Sequence, residues 1–361
     1  MRRFPKRLAG ALLALLVLLL LLPVVAPPFL DRIYYTGPKS AHFDGGRFFN
    51  PDEPRGGAPR YFNLARIARF VTGGERTPWP RHVPVTPSRP PDKVTGETMR
   101  VTWIGHATVL IQTQGLNILT DPIWSERASP FPWFGPTRVR EPGVRFEDLP
   151  KIDLVLVSHD HYDHMDLPTL ERLWARDRPL IVTSLGNDTI LGWHGITAIA
   201  RDWGQSVAVK PGVSVIVDRV HHWGTRWGQD RSRALWSGFT ITMPHGGNIF
   251  FAGDSGPGDM RWPLEAKAHG PIRFAMIPIG PGRPREMMHS NHIDSNDAVD
   301  VFKLLGAKSA LAIHWGTFQL GADGIDEPVD AMRAAEKAKG VDPMRFRTTG
   351  AGQGWVLPKI R

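Results

Sequence analysis

Hydrophobic and polar positions divide this chain into three unlike stretches. Between Leu8 and Leu30 no charged residue occurs, and Leu8–Leu22 is almost wholly Leu, Ala and Val. Residues 31–98 are instead rich in Pro, Gly and Arg, as in Asn50-Pro51-Asp52-Glu53-Pro54-Arg55-Gly56-Gly57 and Pro87-Ser88-Arg89-Pro90-Pro91, with one helix-like stretch at Tyr61–Val71. Such punctuation predicts an irregular extension. A disordered linker is the rival reading, but Phe43, Phe48, Phe49, Tyr61, Phe62 and Phe70 favour an extension packed on the main domain. In residues 99–361 short apolar runs recur between turn residues: Val101–Ile104, Thr108–Thr113, Leu116–Thr120 and Ile152–Val157, then Val213–Val220, Phe239–Met243, Ile249–Phe251, Phe274–Ile277 and Ala310–Ile313. These predict strands. Helical periodicity appears at Asp166–Ala175, Met260–His269, Ser295–Leu305 and Asp326–Lys339. Strands come first in meanders and helices are interspersed later, which predicts an α+β layered sandwich with its helices outside. No repeat period is visible.

The first stretch follows directly on Arg2, Arg3, Lys6 and Arg7. Its length approaches the roughly 20 apolar residues that cross a bilayer. A cleaved signal peptide is the alternative, since Val24-Val25-Ala26 offers small residues to a peptidase, but Pro27 just beyond disfavours the cut. An uncleaved N-terminal hydrophobic anchor, residues 1–30, is the favoured reading. The basic cluster then stays cytoplasmic and everything after Asp31 lies extracytoplasmic, periplasmic in a Gram-negative source.

Composition narrows the chemistry. The 361 residues are 42% hydrophobic and 22% charged, enough for a large core. There is no cysteine, which excludes disulfides, thiolate ligands and a Cys nucleophile. Net charge is +9, of which the N-terminal cluster supplies four, leaving +5 for the rest. So mild a basic excess gives no reason to expect a nucleic-acid partner.

One loop carries the strongest chemical signal. Ser158-His159-Asp160-His161-Tyr162-Asp163-His164 sets three imidazoles and two carboxylates just after the predicted strand at Ile152–Val157. All of them cannot reach one ion, but a His-x-His pair and an Asp-His pair can each serve one ion of a close dinuclear centre. Further ligands are then expected at the ends of later strands. His222 follows Val213–Val220, Asp254 follows Ile249–Gly253, and His314 follows Ala310–Ile313.

With these residues in view, the chain resembles the metallo-β-lactamase superfamily, whose His-x-His-x-Asp-His signature opens a dinuclear site on an αββα four-layer sandwich. It resembles one branch more closely. Trp103-Ile104-Gly105-His106-Ala107-Thr108, Thr120-Asp121-Pro122-Ile123, Arg127-Ala128-Ser129-Pro130, Leu235-Trp236-Ser237-Gly238-Phe239, Asn291-His292-Ile293-Asp294 and Ala312-Ile313-His314-Trp315-Gly316-Thr317 look like the N-acylphosphatidylethanolamine-hydrolysing phospholipases D. The resemblance runs from about Phe43 to Phe318. It implies that His159, His161 and His222 hold one ion, that Asp163, His164 and His314 hold the other, and that Asp254 bridges them. Two zinc ions are the favoured cofactors, with iron or manganese tolerated by such an imidazole and carboxylate set. The resemblance further implies that Asp121 orients a ligand histidine, and that His292 serves catalysis by giving a proton to the leaving group. A plain polar helix start is the other reading of His292. His106 either touches substrate or bonds within the site.

Thirteen tryptophans are many for this length, and Trp223, Trp227, Trp236 and Trp315 fall near the proposed ligands. They form an apolar rim for acyl chains or belong to the core. The favoured function is a membrane-tethered, zinc-dependent phosphodiesterase of phospholipase D type acting on N-acylphosphatidylethanolamine or a related phospholipid. The runner-up is a metal-dependent hydrolase of another ester, lactone or soluble phosphodiester. An inactive binding or scaffold protein is disfavoured, because candidates stand at all seven metal positions.

Overall fold

Fourteen strands form two facing sheets of seven in the chain's computed structural model, which describes residues 10–12, 14–17, 21, 29–53 and 76–357. The first sheet has the order β14-β1-β2-β3-β4-β5-β6. Its strands are β1 Met99–Gly105, β2 Thr108–Thr113, β3 Leu116–Thr120, β4 Leu154–Val157, β5 Leu180–Ser184, β6 Ile199–Arg201 and β14 Gly354–Leu357. The second, β13-β12-β11-β10-β9-β8-β7, is built from β7 Ser206–Lys210, β8 Val213–Asp218, β9 Gly238–Thr242, β10 Asn248–Phe251, β11 Ile272–Pro278, β12 Ser309–Ile313 and β13 Phe346–Arg347. Both sheets are mixed: β14-β1-β2-β3 and β7-β8-β9-β10 are antiparallel, while β3-β4-β5-β6 and β10-β11-β12-β13 are parallel.

Alternation along each strand explains the layering. In β4, Leu154 and Leu156 face the second sheet, joining Val101, Val109, Phe239 and Ile241, whereas Val155 and Val157 face outward onto Leu170 and Leu173 of α1 (Leu167–Asp177). A strand covered on both faces reads as a continuous apolar run, and β4 is Leu-Val-Leu-Val. Beside α1 lies α2 (Asn187–Gly192). The outer layer of the second sheet holds α3 (Trp262–Lys267), α5 (Ser295–Leu305) and α6 (Glu327–Lys339), with α5 against β11 and between its two neighbours. A single turn, α4 (Arg285–Met288), precedes α5. Helix α5 starts with a capping box in which Asp294 accepts from Asn296 and Asp297, and ends at Gly306 in the left-handed region. Such a cap contributes about 1 kcal/mol and fixes the chain just after His292.

Several elements depart from the sequence expectation. The strand expected from Ile152 starts at Leu154, because the Ile152 N–H is taken by the Asp177 carboxylate at 2.9 Å. The Val213–Val220 strand stops at Asp218, and β5, β6, β7, β13, β14, α2 and α4 were not anticipated. Most are short, and β14 exists only through its pairing with β1 from the other end of the domain. The Tyr61–Val71 stretch lies outside the described residues. Of Leu8–Leu30 only scattered residues are described, all helical, and among the described residues no helix is long and apolar enough to cross a membrane.

Within residues 31–98 the described parts form no helix or strand, yet they pack. Phe43 and Phe48 are buried against each other at 4.6 Å in the inter-sheet core. Asn50 donates to the His222 carbonyl, and Val83 bonds Val139.

Candidate metal centre

The ends of β1, β3, β4 and β12 are followed directly by the polar residues His106, Asp121, Ser158 and His314, and β10 is followed three residues on by Asp254. The conformations needed are costly. His106, Asp121 and His314 sit at positive φ of 54°, 30° and 62°, a region that non-glycine residues rarely occupy and that costs about 1–3 kcal/mol each. Such strain persists where surrounding bonds over-determine it: the His106 N–H donates to Thr317 Oγ1, and the His314 N–H to the His106 carbonyl.

Around the loop after β4 the side chains form two groups. His159 Nε2 lies 2.9 Å, and His222 Nε2 3.4 Å, from His161 Nδ1. Asp163 Oδ2 lies 3.3 Å from both His164 Nε2 and His314 Nε2. Between the groups stands Asp254, whose Oδ2 is 3.2 Å from His164 Nε2, 3.1 Å from His314 Nε2 and 3.8 Å from His222 Nε2. Gly253 lets that loop in. At its φ of +59° a side chain is strained, and a Cβ there would lie 2.7 Å from the Ser158 Cβ.

Outer bonds assign the proton of four of the imidazoles. His164 Nδ1–H donates to Asp121 Oδ2 at 2.6 Å, His222 Nδ1–H to the Asn291 carbonyl at 2.9 Å and His314 Nδ1–H to the Gly280 carbonyl at 2.8 Å. The Ser158 hydroxyl donates to Asp121 Oδ2 and so accepts from His159 Nδ1–H. Each assignment turns an Nε2 lone pair inward. In their neutral forms four imidazoles thus turn lone pairs towards the carboxylates of Asp163 and Asp254, and the buried His164 Nε2 and Asp254 Oδ1 have no hydrogen-bond partner. Facing acceptors repel unless a cation lies among them. The cluster is able to bind metal.

Electrostatics point the same way. Burial, reinforced by neighbouring imidazoles, pushes His159 well below its ordinary range. Burial also carries His161 and His222 down to about 3, leaving neutral rings ready to ligate. In the other group burial opposes charge too, but Asp254 and Asp163 outweigh it and raise His314 to about 9. Correspondingly, burial raises Asp163 and Asp254, while His164 and its neighbours hold both well below the usual carboxylate range. Without metal, protons on His164 and His314 stand where a cation belongs.

Three more residues come close enough to ligate, and their bonds decide their roles. Asp121 spends its oxygens on the Ser158 N–H, the Ser158 hydroxyl and His164, so it braces the loop from behind. His106 Nε2 lies 2.9 Å from Asp163 Oδ2 and orients that carboxylate from inside the protein. Its contact side was open in the sequence; only the positive φ at the end of β1 turns the ring inward. His292 Nδ1 lies 3.6 Å from Asp254 Oδ2 without a hydrogen bond, and its ring stands 5.2 Å from His222 and 5.7 Å from His314, over both groups. Asp160 and Tyr162 point away: Tyr162 donates to the Arg226 carbonyl, and Arg226 caps its ring at 3.8 Å while donating to the carbonyls of Asp160 and Met165.

The tryptophans separate. Trp236 and Trp315 are buried, Trp315 stacked on Trp103 at 5.0 Å, and belong to the core. Trp223 and Trp227 are half-buried, and Trp223 meets His161 edge-on at 4.6 Å. A shallow recess opens beside His314, lined by Trp79, Pro281, Trp315, Phe318, Leu320 and Pro328. Nothing in the local sequence marked Trp79, which reaches the site from the extension by donating to the Asp323 carbonyl.

Residues 116–315 match the β-lactamase superfamily domain. The chain belongs to the metallo-β-lactamase superfamily. Within that superfamily it is 32% identical over 318 residues to N-acyl-phosphatidylethanolamine-hydrolyzing phospholipase D 1 of Caenorhabditis elegans, covering 83% of this chain and 89% of the worm protein. It is 30% identical over 238 residues to the mitochondrial N-acyl-phosphatidylethanolamine-hydrolyzing phospholipase D of Saccharomyces cerevisiae, covering 64% of this chain and 50% of the yeast one. Among solved structures, Igni18, a metallo hydrolase of the archaeon Ignicoccus hospitalis, aligns with a TM-score of 0.54 at 21% identity over 72% of this chain and 99% of its own. The superfamily's two-sheet fold and this His and Asp cluster make the chain a metal-dependent hydrolase.

Proposed function

We propose that this hydrolase is a dinuclear phosphodiesterase of phospholipase D type that cleaves N-acylphosphatidylethanolamine or a related phospholipid. The observation that carries the reading is the similarity to the worm phospholipase, which extends over 83% of the chain rather than over the metal loop alone. His159, His161 and His222 would hold one ion, Asp163, His164 and His314 the other, and Asp254 both, with zinc the favoured metal. Such a pair supplies a hydroxide nucleophile near neutral pH and neutralises the phosphate oxygens. The phosphorus gains the water oxygen, the P–O bond to the N-acylethanolamine breaks, and phosphatidic acid is the second product.

The chain's own groups complete the reaction. His292, whose Nδ1 lies 3.6 Å from Asp254 Oδ2, would hand a proton to the leaving alkoxide. Burial and the nearby His222 and His314 outweigh Asp254 and hold this ring near a pKa of about 3. A neutral ring would pass on a proton gained during the same turnover. The recess beside His314 is lined mainly by apolar side chains, which suits contact with part of a lipid rather than enclosure of a whole one. An anchor at residues 1–30 would hold this opening against an extracytoplasmic membrane face, where lipid substrate is concentrated.

Mass-spectrometric detection of N-acylethanolamine from micellar substrate, with a lactone and a cyclic nucleotide in parallel, tests the reading. Release that disappears in Asp254→Ala supports it. Turnover of either rival without N-acylethanolamine release replaces it with the broader hydrolase reading, since one fold hosts many reactions.

A further inference from the structure

The loop between β3 and β4 carries an exposed aromatic tip whose rings meet one another, Phe131 and Trp133 at 5.3 Å and Trp133 and Phe134 at 6.2 Å. Phe131, Trp133 and Phe134 are 42%, 74% and 66% exposed, an unusual concentration of apolar surface on one turn. The tip is nevertheless pre-shaped. Arg127 reaches through it to the carbonyls of Pro132 and Gly135 and to Thr137 Oγ1, Ala128 bonds the Pro136 carbonyl, and the Phe131 N–H is taken by Ser129 Oγ. Its prolines 130, 132 and 136 have no N–H to satisfy. A turn that bonds its own polar backbone while presenting bare aromatic rings is suited to leaving water for an apolar medium.

Its base abuts the metal centre. Arg138 bonds the Glu126 carbonyl across the loop and lies 4.8 Å over Phe318, whose ring meets His106 at 5.3 Å. Near the chain's start, Arg32 stands 5.0 Å over Trp227 and 5.7 Å over Trp193, with Phe29 and Ile33 exposed beside it in sequence. That is where the apolar stretch Leu8–Leu30 joins the domain, and Trp227 follows the Trp223 that packs on His161.

We infer that the Phe131–Phe134 tip is a membrane-docking wedge that inserts into the headgroup region of a bilayer and seats the metal-site opening on the lipid surface. The apolar N-terminal stretch ending near Trp227 names a bilayer as the occupant. Tryptophan and phenylalanine are favoured at that depth. The inference deepens the phospholipid reading, and its test measures depth rather than turnover, so the two can fail separately.

The chain has no cysteine, so Trp133→Cys carries a single environment-sensitive fluorophore on the full-length protein. Met344→Cys is the reference: Met344 is 64% exposed, and Arg345 beside it bonds Ala307 and Lys308, at the end of β12 away from His314. In phosphatidylcholine–phosphatidylglycerol vesicles the label at 133 is expected to shift to the blue and to be quenched by headgroup-proximal nitroxide lipids, while the label at 344 remains aqueous. An aqueous label at 133, equal shifts at both positions, or a concentration-dependent shift at 133 before lipid is added would each overturn the inference.

Discussion

Asp121→Asn isolates what a buried acceptor does for the metal centre. The substitution is nearly isosteric, and Asn tolerates the positive φ of 30° at this position, so the backbone is not the variable. The native carboxylate accepts from the Ser158 N–H at 2.7 Å, the Ser158 hydroxyl at 2.6 Å and His164 Nδ1–H at 2.6 Å. An amide can keep the first bond through its oxygen, but its NH₂ then faces the two donors formerly served by Oδ2. Each buried donor left unpaired costs about 1–3 kcal/mol. His164 can escape only by moving its proton to Nε2, which removes the inward lone pair. Either route weakens the ion proposed for Asp163, His164 and His314, by roughly 10- to 100-fold for loss of such an orienting partner. That ratio equals about 1.4–2.7 kcal/mol, the size of one unpaired donor. Competition with a chromophoric chelator measures both affinities, and nitrogen chemical shifts of His164 in the metal-loaded protein show which of the two routes is taken. Wild-type affinity at both sites would refute the reasoning.

Two other perturbations have definite signs. His221 is clamped between Asp52 at 3.0 Å and Glu53 at 3.0 Å; burial pulls its pKa down, but the two carboxylates raise it to about 9. A raised histidine contributes stability that is complete below its unfolded pKa of about 6.5 and disappears as pH rises through about 9, with an upper figure of about 3 kcal/mol because Glu53 is partly exposed and screened. Thermal melts from pH 6 to pH 9.5 should show the advantage of wild type over His221→Gln shrinking across that window, and a constant gap contradicts the assignment. Gly253→Ala should cost about 2–4 kcal/mol, from the left-handed backbone and from overlap with Ser158, and should lower bound metal with it; an unchanged melting temperature and metal content would show that the close approach is immaterial.

Local spacing made the chemistry of the Ser158–His164 loop readable, since residues so close in sequence on one turn must share a neighbourhood. His222, Asp254 and His314 were readable for a weaker reason: each follows an apolar run, and parallel strands in one sheet end together. Trp223 and Trp315 look alike in sequence, and burial alone assigns one to the rim and the other to the core. The expectations that failed, such as the start of β4 and the existence of β14, depended on partners far along the chain: the Asp177 carboxylate and β1.

By itself, then, the amino-acid order determined which groups are available to a metal, that no thiolate is among them, and that alternating apolar runs require two buried sheets. Only the tertiary structure decided how those groups are used. Asp254 stands between two clusters because Gly253 can approach Ser158, His106 turns onto Asp163 because its backbone is held left-handed, and Phe131–Phe134 remain exposed because Arg127 satisfies their loop from within. Proton placement, backbone strain and close approach depend on contacts between distant residues, and these exist only once the two sheets have closed on each other.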